Sequence, residues 1–145
     1  MFNGRILVAT DGSELSGKAV TAAVKLASAL RAELVAFTVL PVYPYSRIGE
    51  SSGIAAESHQ AQAGAEASER LTQVERIARD AGVSCHTSML EDDEPFRAII
   101  AAAEKHDCGL IVMASHGRRG ARALLLGSET QRVLAHTTRP VLVVR

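Results

Sequence analysis

At 145 residues the chain has the length of one domain, residues 1–145, and its 16 basic residues balance 16 acidic ones. Zero net charge excludes a polyanion binder that works by bulk electrostatics, and 3% aromatic content without tryptophan excludes a base-stacking platform for single-stranded nucleic acid. No apolar run approaches the ~18 residues needed to span a bilayer, and Asp11 falls where a signal peptide would still be apolar, so a cytoplasmic protein with neither membrane nor nucleic-acid partner is expected.

Residues 5–10 are a short, mostly apolar run ending in the turn cluster Asp11, Gly12, Ser13, the pattern of a buried strand. From about 13 to 30, Ala19, Ala23, Leu26, Ala27 and Leu30 recur at helical spacing, with Glu14, Lys18 and Lys25 left for water. Residues 33–39 return to strand composition and stop before Pro41. The stretch 40–58 holds two prolines, two tyrosines, two glycines and four serines, which predicts a mobile loop. Residues 60–81 predict a helix with Leu71, Val74, Ile77 and Ala78 as its apolar stripe and Gly82 as its stop.

In residues 83–90, Val83, Cys85, Thr87 and Met89 alternate with Ser84, His86 and Ser88, which predicts a strand near the sheet edge. Asp93, Glu94 and Pro95 open a helix that runs to about His106, since proline and acidic groups suit a first turn. Residues 110–113 form the next strand. Ser128, Glu129, Thr130 and Gln131 have the form of a capping box, with Ser128 as N-cap and Val133 and Leu134 as the packing face. Residues 140–144 close the chain as a last strand. Five strands alternating with four helices imply a mainly parallel α/β sheet with helices on both faces.

In such a sheet, ligands sit at the carboxyl ends of strands, where the winding reverses. Two strand-end loops carry suitable chemistry: Thr10 to Ser13, and the connection from Ala114 to Gly127. The second is about twice the usual length and carries Arg118, Arg119 and Arg122, and a helix start supplies unpaired N–H groups and the positive end of a dipole for an anion. Asp11 is either an N-cap or a carboxylate for a ribose or base edge. His116 is either an exposed loop residue or a phosphate or ribose contact. His59, His86, His106 and His136 lack metal-ligand spacing, and Cys85 and Cys108 read as reduced, packed thiols. There is no phosphate-loop lysine signature and no nucleophile motif, so at most weak ATP hydrolysis is expected.

The run Ala114, Ser115, His116, Gly117, then nine residues, then Gly127 and Ser128, resembles the glycine pattern of the universal stress proteins. The likeness extends to residues 6–13 and 139–144. It implies a Rossmann-like sheet of order 3-2-1-4-5 and a nucleotide site in which Asp11, Val39, Met113, His116, Gly117, Gly127, Ser128, Glu129 and Thr130 surround ATP, or ADP or AMP, with Mg²⁺ as a companion ion. Ala9, Thr10, Ala114 and Arg118 complete the expected nucleotide-binding set. The resemblance also implies a homodimer through residues 141–144 and a stress-response role in which occupancy regulates interactions with partners. The alternative is a nucleotide-free dimeric interaction module. One departure stands out, because Ala114 occupies the first glycine position, which matters only if the backbone there needs positive φ or the methyl meets the ligand.

Overall fold

A computed structural model describes residues 2–42, 53–117 and 125–145, of which 53–56 by backbone alone. Among them, strands and helices alternate as β1 (Arg5–Ala9), α1 (Glu14–Leu30), β2 (Glu33–Leu40), α2 (Gly53–Asp80), β3 (Cys85–Glu91), α3 (Pro95–Lys105), β4 (Leu110–Ala114), α4 (Ser128–His136) and β5 (Val141–Val144). The predicted alternation therefore holds, with one shift: α2 starts at Gly53, inside the stretch expected to be loop. The rest of that expected loop, residues 43–52, lies outside the described residues.

The five strands pair in parallel in the order β3-β2-β1-β4-β5. Both faces are covered, which is why the central strands are continuously apolar rather than alternating. On one face α1 and α2 bring Ala19, Ala23, Ala27, Leu71, Val74 and Ala78 against Ile6, Val8, Leu34, Ala36 and Val112. On the other, α3 and α4 bring Ala98, Ile99, Ala102 and Val133 against Leu7, Val35, Phe37, Ile111 and Met113. β1 thus splits its side chains between the layers residue by residue, as a period of two requires. β3 lies at one edge, as its polar alternation predicts, and β5 at the other.

The apolar stripes are narrower than periodicity suggests. Leu134 is 44% exposed although Val133 beside it is fully buried, and Leu30 and Ile77 also face outward. A short helix over a twisted sheet buries a single row, and alanines on α1 allow close approach to β1, so the larger side chains at the margins stay uncovered. Both cysteines are free, and burial pushes the Cys108 thiol up to about 11.

Two outcomes follow. Val133→Ala should cost about 2 kcal/mol in denaturant unfolding, whereas Leu134→Ala should stay within about 0.5 kcal/mol. At pH 8 the Cys108 thiolate fraction is on the order of one in a thousand, so alkylation of the native protein should be slow at Cys108 and become fast on unfolding.

Candidate functional site

Because β1 lies between β2 and β4, the loops leaving β1 and β4 face one another at the carboxyl end of the sheet. They enclose a cavity of about 650 Å³. Of the residues expected at a nucleotide, Ala9, Thr10, Asp11, Val39, Met113, Ala114, His116, Gly117, Gly127, Ser128, Glu129 and Thr130 all line it. Arg118, with Arg119 and Arg122, lies outside the described residues.

The first loop is a hydrogen-bonded turn. Gly12 adopts φ +80°, a left-handed backbone that glycine takes without strain. The N-cap of α1 is Ser13, whose Oγ accepts from Ser16 N at 3.2 Å, so Asp11 is not the cap. Asp11 instead uses Oδ1 to accept from Ser13 N at 2.9 Å. Its carboxylate lies so close to the second loop that a Cβ added at Gly117 would sit 2.8 Å from Oδ2. A side chain at 117 would therefore have to push the Asp11 carboxylate aside.

The second loop returns to the end of β4. Gly127 N donates to Ser115 O at 2.7 Å, and a Cβ at Gly127 would meet Ser115 O at 3.1 Å and the His116 Cα at 3.3 Å. Gly127, with φ −61° and ψ 153°, is the N-cap of α4, and Ser128 is the first helical residue, which corrects the expected serine cap. The capping box does not form: among the described residues no side chain caps this end, and Gln131 Nε2 donates to Leu126 O at 2.7 Å. Thr130 Oγ1 donates to Ala114 O at 3.0 Å, tying the helix start to β4. The first backbone bond of α4 runs from Gln131 N to Gly127 O at 3.0 Å. The amides of Ser128, Glu129 and Thr130 precede it and have no acceptor within the helix.

Glu129 would oppose an anion if it faced the ligand, but its carboxylate is engaged elsewhere. Oε2 accepts from Phe96 N at 2.8 Å and Oε1 lies 3.6 Å from Arg132 Nη1. It thereby caps α3 from outside, since Glu94 at that helix's own N-cap makes no side-chain cap bond. His116 Nδ1 lies 2.9 Å from Ser115 Oγ, and its Nε2 is buried with no hydrogen-bond partner among the described residues. Ala114 shows no positive φ, and it belongs to the apolar layer under α1. Replacing glycine there imposes no backbone strain.

Several lining residues escaped sequence reasoning. Thr38, almost fully buried in β2, donates from Oγ1 to Thr10 O at 2.7 Å and accepts from Arg70 Nη1 of α2 at 2.9 Å. A threonine inside an apolar strand was the available signal for Thr38; nothing local marks Arg70. Asp92 and Asp93 reach the cavity from the short connection between β3 and α3. The Glu94 amide and the Arg97 guanidinium hold the Asp92 carboxyl below the usual carboxylate range.

Residues 3–145 match the model of the universal stress protein family. A universal stress protein of Methanocaldococcus jannaschii is 36% identical over 141 residues, covering 97% of this chain and 81% of that one. The fold is similar to that of the universal stress protein UspA from Lactobacillus plantarum, with TM-score 0.87 and 24% identity over 100% of this chain and 99% of that one. It is also similar to a universal stress protein from Archaeoglobus fulgidus solved in complex with dAMP, with TM-score 0.70 and 21% identity over the full length of both chains. With the strand order and the glycine-lined loop in place, these matches show that the chain belongs to the universal stress protein family.

Proposed function

We propose that residues 1–145 form one nucleotide-binding unit whose cavity holds an adenine nucleotide, ATP, ADP or AMP, with occupancy regulating the protein's interactions in the stress response. The observation that carries this reading is the uncapped first turn of α4, which opens on the cavity. Three amides without helical acceptors and the positive end of the helix dipole suit a phosphate. The buried Nε2 of His116, which has no partner among the described residues, is a further polar atom that a ligand oxygen would satisfy.

The other end of the cavity suits the base. β1 ends at Ala9, and its last rung to β2 is Thr10 N donating to Phe37 O at 2.9 Å. In a parallel strand the peptide groups alternate sides, so that of Val39 points toward β1, where β1 has stopped. An N–H beside a C=O matches the acceptor N1 and donor N6 of adenine. Asp11, between the two ends, is within reach of a ribose. The related A. fulgidus protein solved with dAMP supports an adenine nucleotide as ligand class.

Among the described residues no group of three or more His, Cys, Asp and Glu is gathered to hold a metal ion, so Mg²⁺ belongs to the proposal as a companion ion carried on the nucleotide's phosphates. The exposed β5 edge, with Leu142 40% exposed, suits pairing with a second copy of the chain, and a homodimer is part of the proposal.

Calorimetric titration with ATP, ADP and AMP should show binding to the purified protein. Gly127→Val should weaken it at least about tenfold while the fold is retained, because a branched side chain there displaces the Ser115 carbonyl and the helix start behind it. Gly117→Ala, which sets a methyl against the Asp11 carboxylate, should weaken it in the same direction. Equal affinity in both variants would remove this cavity as the binding site.

A further inference from the structure

We infer that Arg70, on α2, covers one face of the bound base as a cation over its π-system. This rests on the reading of the cavity as an adenine-nucleotide site. Phe37 and Val39 direct their side chains into the layer formed with α3 and α4. Thr38, between them, faces the opposite way and meets Arg70 Nη1 at 2.9 Å.

A planar base whose edge is bonded to the Val39 peptide would lie near the sheet plane, continuing the line of β1. One of its faces then turns toward the side from which Arg70 enters. Among the described residues Arg70 is the only arginine or lysine that lines the cavity, against the carboxylates Asp11, Asp92, Asp93 and Glu129.

The guanidinium is held there by the structure. Thr38 accepts from it and donates to Thr10 O, and Thr10 Oγ1 lies 3.0 Å from Ser16 Oγ at the start of α1. An anchored planar cation needs little further ordering on binding, and guanidinium groups favour aromatic faces. Such a contact strengthens binding of any base and leaves the choice of base to the Val39 peptide.

The test is titration of the protein and its Arg70→Met and Arg70→Lys variants with adenosine, AMP, ATP and tripolyphosphate. Arg70→Met should lose about three- to thirtyfold in affinity for the three base-bearing ligands, by one common factor, and keep the parent affinity for tripolyphosphate. Arg70→Lys, which keeps a donor for Thr38 but not the planar face, should lose a smaller common factor. A loss that grows from adenosine to ATP would make Arg70 a phosphate ligand and overturn the inference. So would an equal loss for tripolyphosphate, as a merely structural role predicts, or unchanged affinity throughout. If the parent protein binds none of the four, the nucleotide reading itself fails.

Discussion

The hydrogen bond from the Thr10 amide to the Phe37 carbonyl is the last rung between β1 and β2, and the site depends on where it falls. β2 continues beyond it beside β3 as far as Leu40, paired with Glu91, while β1 breaks away into the turn at Gly12. A central strand shorter than its neighbour leaves an opening in the plane of the sheet, floored by strand ends. Fully buried apolar layers on both sides keep the strands in register, so the opening is a fixed feature of the packing.

Two glycine contacts shape this opening. Gly127 N bonded to Ser115 O brings the start of α4 back against the end of β4, and glycine at 117 lets the Asp11 carboxylate approach the same corner. The only carboxylate in the first turn of α4, that of Glu129, is drawn away to the Phe96 amide. The first turn is left with its amide donors and, among the described residues, no side-chain cap. The same bond joins α3 to α4, so one interaction clears the start of α4 and braces the wall beside it.

Much of this was legible in the residues. The continuous apolar runs at 6–8 and 110–113 meant strands buried on both faces, and the glycine spacing in the second loop, with its resemblance to a family, pointed to residues that line one cavity. What stayed hidden depends on contacts distant in sequence. Ser128 followed three residues later by Gln131 read as a capping box because the pattern is local, whereas the bond from Gly127 N to the distant Ser115 O accompanies a cap at Gly127, and Gln131 turns to Leu126 O. Arg70 looks like any polar residue on a helix, and its link to Thr38 exists only once α2 is laid on the sheet. Ala114 departed from the glycine pattern, but its strand pairing with Val144 gives it an ordinary backbone.

In the proposed function one cavity has a base end at Val39 and a phosphate end at α4. Backbone amide chemical shifts during titration with adenosine and with ATP test it directly. Adenosine should move the Val39 amide and leave those of Ser128, Glu129 and Thr130 in place, and ATP should move all four. Shifts confined to the opposite end of the sheet, or α4 amides that respond equally to adenosine, would contradict it.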